Sequence, residues 1–226
     1  MSKLGIAVDG GKDSLSMAAK VSGRDGKSEV VKSPGTLVIS TYAPVPDIRI
    51  KVTPELRSFG HLIYISTSGR KGKVRTGASA LAQVFAQIGS ECPDIDDPTQ
   101  LSATFKAVQV LISRGICTAG HDVSDGGIIT CLLEMSFATN CGLQAQMTTQ
   151  EDDDPVNFLF AEESGVIIEV DASRMNEAKT ILRTLDHQLI GHGIRDSDDI
   201  SITFNGQLVL KVSLLLPLLS LFLRNR

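Results

Sequence analysis

Eight residues, Gly120 to Gly127 (G-H-D-V-S-D-G-G), constrain this chain more than any other stretch. They put His121, Asp122, Ser124 and Asp125 among three glycines. A short apolar run, Gly115 to Ala119, precedes them, and an apolar stretch with helical character, Ile128 to Ala138, follows. The pattern predicts a strand, a tight turn and a helix N-terminus. An anion or a bound cation is commonly held at such a junction.

The chemistry of the turn supports two readings. Gly126 and Gly127 permit backbone angles closed to other residues and let a ligand approach the main chain. The first amides of the following helix favour an anion. Asp122 and Asp125 would repel phosphate unless a cation stands between, so the combination suggests Mg²⁺ bridging to phosphate oxygens. In the plainer reading, Asp125 only caps the helix and the glycines only shape the turn.

Composition narrows the class. At 226 residues the chain can form one large domain, or one domain with an attached piece. Its 22 basic and 26 acidic residues argue against nonspecific nucleic-acid binding. There is no Trp, and the few Tyr and Phe residues form no base-stacking platform. Cys92, Cys117, Cys131 and Cys141 lack zinc-ligand spacing and read as reduced, mostly buried residues of a cytoplasmic protein. Leu214 to Leu223 is apolar but, with Val212, reaches only about 18 Å as a helix against a bilayer core of about 30 Å. Pro217 interrupts it, so no membrane span is expected and the run is an interface or an aggregation liability.

Strands are expected at Leu4–Val8, Thr36–Ala43, Arg49–Thr53, Gly60–Ser66, Leu143–Met147 and Val166–Val170, and a hairpin at Ile200–Val212 around Asn205-Gly206. Helices are expected at Leu15–Ala19, Thr76–Ile88, Leu101–Ser113 and Ser173–Leu185. The apolar stripe of Leu101–Ser113 comprises Leu101, Phe105, Val108, Leu111 and Ile112, and it reads as core. Ser22–Ser33 and the basic stretch Ser68–Lys73 read as loops, the acidic stretch Gln150–Pro155 as a solvated loop or a helix start, and Val156–Phe160 as a short apolar segment. His187 and His192 fall in a turn, neither with a ligand-like partner at helical spacing. The alternation suggests an α/β fold, an α+β sandwich with a mixed sheet covered by helices.

A second turn has related content. Asp9-Gly10-Gly11-Lys12-Asp13-Ser14 lies between apolar segments. Lys12 suits phosphate, Asp13 a metal ion and Ser14 a helix cap. The Walker A spacing is absent. Together the stretches Val8–Ala18 (V-D-G-G-K-D-S-L-S-M-A) and Ala119–Gly142 (A-G-H-D-V-S-D-G-G-I-I-T-C-L-L-E-M-S-F-A-T-N-C-G) resemble phosphoribosylformylglycinamidine synthases of the large, eukaryote-like kind. Lys32–Ser40, Pro46–Ile48, Val52–Leu56, Gly60–Tyr64 and Leu159–Val166 carry the likeness further, and it covers nearly the whole chain to about Leu210.

The resemblance implies a role in purine biosynthesis. That family uses ATP and glutamine-derived ammonia to amidate formylglycinamide ribonucleotide. Its synthetase core is like two fused copies of the aminoimidazole-ribonucleotide-synthetase fold, each with an amino and a carboxyl half. One nucleotide site works, and a related one holds a structural nucleotide with Mg²⁺. By this resemblance, residues 1–30 are the tail of the second amino half, 31–212 the second carboxyl half, and 213–226 an atypical leucine-rich tail. Lys12, Ser14, Gly126 and Gly127 are then expected at the nucleotide (ATP or ADP), and Asp13 with Asp122 or Asp125 at Mg²⁺. His121 is expected to orient the turn. No catalytic residue is expected.

The chain departs from that pattern. It lacks the first synthetase copy, and none of its four cysteines stands in the nucleophile context of an amidotransferase. The expectation is an inactive isolated chain whose partners are a small-molecule nucleotide and the remaining domains of a longer enzyme, with neither nucleic acid nor membrane. The alternative is a noncatalytic nucleotide-binding or interaction module.

Overall fold

The structure, a computed structural model, describes residues 1–14, 16–33, 35–68, 73–149 and 154–214. It divides into two compact units, Met1–Ile48 and Arg49–Arg226.

In the first unit, a 3₁₀ turn at Ser2–Leu4 stands where the sequence predicts the start of a strand, and residues 6–8 form no regular element. The expected loop at Ser22–Ser33 contains the turn and the second strand of a hairpin. Strand β1 (Ala18–Ser22) pairs antiparallel with β2 (Ser28–Lys32), from Ala18 opposite Lys32 to Ser22 opposite Ser28. Gly26 turns the hairpin at φ 76°, and the Gly23 N–H donates to the Lys27 carbonyl at 2.8 Å. Both strands are exposed throughout, so no apolar alternation marked them, and β1 also takes the end of the expected helix Leu15–Ala19. Thr36–Ala43 forms no strand despite its β-branched residues. Leu37 and Val38 are each 83% exposed, and β preference is realised only where a neighbouring strand and a buried face exist.

The second unit is built on a seven-stranded mixed sheet. Its strands are β3 (His61–Ser66), β4 (Cys117–Val123), β5 (Gly142–Met147), β6 (Gly165–Val170), β7 (His187–Ile194), β8 (Asp199–Phe204) and β9 (Gln207–Ser213). They run in the order β4-β6-β3-β7-β5-β8-β9, antiparallel except for the parallel pair β5 and β8. The helices are α1 (Ala80–Val84), α2 (Pro98–Ser113), α3 (Gly127–Thr139), α4 (Pro155–Phe160) and α5 (Met175–Leu182). This is the mixed sheet covered by helices that the sequence suggests.

Two cores follow from side-chain alternation. Leu62 and Tyr64 of β3 pack with α3 and α4 residues such as Leu132, Met135 and Phe158. Ile63 and Ile65 of the same strand pack on the other face with Leu111 of α2 and Ala178 and Leu182 of α5. Strand β3 is therefore apolar at consecutive positions, as a strand buried on both faces must be. Strands β5 and β8 alternate instead. Leu143, Ala145 and Met147, and Ile200, Ile202 and Phe204, enter the first core, while Gln144 and Gln146 are exposed.

Several local expectations are corrected. Arg49–Thr53 forms no edge strand. The helix expected over Thr76–Ile88 shrinks to α1, because Ala78 and Ala86 take φ values of 57° and 53° and break the helical path at both ends. Val156–Phe160 is helical, started by Asp154, which accepts from the Val156 and Asn157 amides, and by Pro155 in the first turn. The same Asp-Pro device begins α2 at Asp97-Pro98, ahead of the expected start at Leu101. Ser173–Leu185 resolves into a 3₁₀ turn, Ala172–Arg174, followed by α5. His187 and His192 lie in strand β7, not a turn. The Asn205-Gly206 turn stands as expected, with φ values of 47° and 80°. The basic residues 69–72, the acidic residues 150–153 and the leucine-rich residues 215–226 lie outside the described residues.

The apolar stripe of α2 is only partly core. Leu111 is fully buried, whereas Phe105 is 61% exposed. Truncating Leu111 to Ala should therefore cost about 2–5 kcal/mol in urea unfolding. Phe105→Ala should shift stability by no more than about 0.5 kcal/mol.

Candidate functional site

The strand leading into the central turn is longer than its apolar run indicated. Gly120, His121, Asp122 and Val123 all belong to β4 and pair with β6, from Gly120 opposite Ile168 to Val123 opposite Gly165. The turn itself is confined to Ser124–Gly126. Gly126 (φ 81°) and Gly127 (φ 76°) occupy the left-handed region, which explains why both are glycine.

The turn has two unlike halves. Gly126 and Gly127 are buried, while Asp122, Ser124 and Asp125 are exposed. A Cβ on Gly127 would lie 2.6 Å from the Leu159 carbonyl oxygen and 2.8 Å from that of Ala161. The space released by this glycine is filled by the end of α4 and the chain beyond it. The Gly126 amide is also engaged, donating to Glu162 Oε1 at 2.8 Å. The same oxygen accepts the Ala80 amide of α1 at 2.7 Å. One carboxylate thus closes the N-terminal ends of two helices. Asp125 makes no cap, since α3 has no side-chain cap of its own from the Ncap residue and its first free amide is met from 36 residues away. Local sequence signals point to Asp125; the Glu162-Glu163 pair carries no capping spacing, so its role was not legible.

Glu163 is the second such tether. It is 1% exposed and binds Arg75 through Nε at 2.7 Å, through Nη2 at 2.8 Å and through the backbone amide at 3.1 Å. Arg75 reaches Asp96 as well, at 2.9 Å. The Glu163 hydrogen bonds hold the guanidinium well above its ordinary pKa against the effect of burial. A hydrogen bond from Lys73, backed by the charge of Arg75, lowers the pKa of Asp96.

His121 sits beside the exposed half. Its Nε2 meets Glu134 Oε2 of α3 at 2.9 Å, and its Nδ1 lies 2.9 Å from the Asp122 carbonyl oxygen. It thereby links the strand to the helix across the turn. Beneath, Cys131 is buried, and burial together with the charges of Asp122 and Glu134 pushes its thiol pKa far up.

Lys12, Asp13 and Ser14 belong to the first unit and are all exposed. Lys12 Nζ donates to Ser14 Oγ and to the Asp13 carbonyl, both at 2.6 Å. Among the described residues, no group of three His, Cys, Asp or Glu side chains is placed to hold a metal ion. Two carboxylates at Asp122 and Asp125 are hard oxygen donors, and Mg²⁺ is commonly held by one or two carboxylates with phosphates and water.

Two outcomes follow. Glu162→Ala should lower stability by about 1–3 kcal/mol in chemical denaturation, because it strips the acceptor from two helix ends at once. Thiol chemistry should separate the cysteines. Cys117 is buried and pushed up to about 12, and Cys131 and Cys141 are raised by burial too, so all three stay protonated. At mildly alkaline pH an alkylating reagent should label Cys92, the exposed thiol, in the native chain and the other three only after unfolding, as read by mass spectrometry.

Comparison with known proteins agrees with this architecture. The family model for AIR synthase related protein, C-terminal domain, matches residues 60–202, and one for the FGAR-AT PurM_N-like domain matches residues 1–44. A human phosphoribosylformylglycinamidine synthase is 50% identical over 173 residues, which is 75% of this chain and 12% of the human protein. A probable phosphoribosylformylglycinamidine synthase of Arabidopsis thaliana, described as chloroplastic/mitochondrial, is 44% identical over 211 residues, 91% of this chain and 14% of its own length. The chain thus spans a small part of these relatives. Thermotoga maritima PurL complexed with ATP shares the fold with a TM-score of 0.57 at 16% identity, over 84% of this chain and 28% of that one. With the domain model covering most of the larger unit, the chain belongs to the AIR synthase related family and carries its C-terminal domain.

Proposed function

We propose that this chain is the carboxyl half of the second synthetase copy of a phosphoribosylformylglycinamidine synthase, preceded at residues 1–30 by the tail of the amino half. Residues 31–212 form that carboxyl half in this reading, and 213–226 are a tail foreign to it. The whole enzyme is a cytoplasmic carbon–nitrogen ligase that takes ammonia from glutamine. This chain serves nucleotide binding in it, not bond making.

The observation that carries the reading is the divided turn. Asp122 and Asp125 face solvent on either side of Ser124, while the backbone behind them is fixed by Glu162 and by the Leu159–Ala161 carbonyls. Rigid, exposed carboxylates at a strand–helix junction suit Mg²⁺, which in turn accepts phosphate oxygens. Asp122 and Asp125 hold the ion in this proposal, and Asp13 is proposed as a metal ligand of the first unit's own turn. Lys12 and Ser14 contact phosphate. Gly126 and Gly127 serve the nucleotide by giving the turn its shape, and His121 keeps β4 and α3 in register through Glu134. The names of the relatives support the reaction, and the ATP complexed with Thermotoga maritima PurL supports the ligand class. No helix among the described residues is long and apolar enough to cross a membrane.

Calorimetric titration with ADP tests the reading. Binding should require Mg²⁺ and should weaken at least about tenfold in Asp122→Ala or Asp125→Ala, the scale of losing a charged contact of about 1.4 kcal/mol or more. The isolated chain should form no product from ATP, ammonia and formylglycinamide ribonucleotide. Mg²⁺-independent binding unaffected by both substitutions, or product formation, would overturn the proposal.

A further inference from the structure

Three of the four histidines take no part in the site above. His121 and His187 are held by partners, the latter with Nδ1 at 2.9 Å from the Leu185 carbonyl oxygen. His61 and His192 have no hydrogen-bond or ion-pair partner among the described residues. They are nevertheless neighbours. Leu62 pairs antiparallel with Gly191, and His61 and His192 are the next residues of the two strands beyond that pair. On the other side of β7, Gln144 of β5 pairs directly with His192.

All three side chains share a face. Leu62 enters the core beneath α3, so His61 falls on the opposite face with Ile63. Leu143 and Ala145 enter the same first core, so Gln144 also falls on the opposite face. His61, Gln144 and His192 line one groove of about 490 Å³, together with Gln146, Thr148 and Gln188. Gln188 is already committed, its amide donating to the Thr148 carbonyl at 2.9 Å.

We propose that His61 and His192 form a two-imidazole site for a divalent transition-metal ion of the zinc class, with the Gln144 side-chain carbonyl as a third donor and water completing the shell. Side chains directly opposite on neighbouring strands have Cβ atoms about 4.5–5.5 Å apart. Two imidazoles can close that gap on one ion at a metal–nitrogen distance of about 2.0–2.1 Å. Imidazole selects Zn²⁺, Ni²⁺ and Cu²⁺ over Mg²⁺, so the site is chemically distinct from the carboxylate turn. Spacing along a helix does not reveal it, because the partner lies across the sheet and about 130 residues away in sequence.

The test uses the untagged 226-residue chain with Cys92→Ser, which removes the exposed thiol, in excess Mg²⁺, which occupies carboxylate sites. Zn²⁺ titrated by calorimetry should bind at one ion per chain. His61→Ala and His192→Ala should each weaken it at least about tenfold, and His187→Ala should leave it unchanged. Electron paramagnetic resonance of the Cu²⁺-loaded chain should show two imidazole nitrogens, falling to one in either single variant. Circular dichroism checks that each variant is folded, and His61→Gln with His192→Gln replaces any alanine variant that is not. Absence of stoichiometric Zn²⁺ binding, or an unchanged affinity and nitrogen count in a folded double variant, overturns the proposal.

Discussion

Glu163 lies inside the protein, and Arg75 is what makes that burial tolerable. A carboxylate taken out of water without a partner costs several kcal/mol, and the bidentate guanidinium with an added backbone amide compensates it. The neighbouring carboxylates repeat the device with backbone donors. Glu162 gathers the amides of Ala80 and Gly126. Glu169 is fully buried on β6 and accepts from the Arg57 and Ser58 amides and the Thr118 hydroxyl through one oxygen, Oε2. The short stretch from Glu162 to Glu169 thereby fastens segments far apart in sequence around the central strands. Positions of β3, β4 and β6 follow from apolar burial on both faces of the sheet. The irregular segments beside them are placed by these carboxylates.

That arrangement decides what the central turn offers a ligand. A helix N-terminus is a place for negative charge, and here the protein supplies its own in Glu162. The glycines are there for the close approach of the chain beyond α4, which excludes any Cβ at Gly127. What remains for solvent is the rim of Asp122, Ser124 and Asp125, whose positions are fixed from behind. Carboxylates on such a rim recruit a cation first and phosphate only through it. The electrostatics of the helix end and of the rim are thus separated, and an ion as proposed would lie on the rim, apart from the Gly126 amide held by Glu162.

Sequence reading recovers the elements in which local pattern and tertiary burial agree. Strands β3, β5 and β6, helix α3 and the Asn205-Gly206 hairpin are of this kind. It misses those in which one of the two is silent. The β1–β2 hairpin has no buried face, so no apolar alternation marks its residues. Thr36–Ala43 has the β-branched composition of a strand but joins no ladder among the described residues of its unit. The strand–turn–helix order before α3 is legible, although Gly120–Val123 belong to β4 and only Ser124–Gly126 to the turn. The capping is not, because an acceptor contributed by Glu162 has no local signature. Positive φ at Ala78 and Ala86 likewise truncates a helix that its own residues favour, and the Ala78 amide donates to the Ile88 carbonyl instead.

The uneven covering of the sheet has the same origin. Helices α2 and α5 build the second core with residues of β3, β4 and β6, whereas the buried residues of β5 and β8 all enter the first core. Strands under both helical layers are apolar at successive positions, as in Leu62-Ile63-Tyr64-Ile65. Strands under one layer alternate, as in Leu143-Gln144-Ala145-Gln146. The period of a strand thus records how many layers cover it, and the polar residues of β5 mark where the second layer ends. Such a face is stable in water because its backbone groups are paired within the sheet and its side chains are polar. Polar side chains aligned by register also gain something that loops lack, namely fixed spacing across strands. Chemistry on this face is set by which residues share a rung or a groove: Gln144 and His192 share a rung, and His61 lines the same groove.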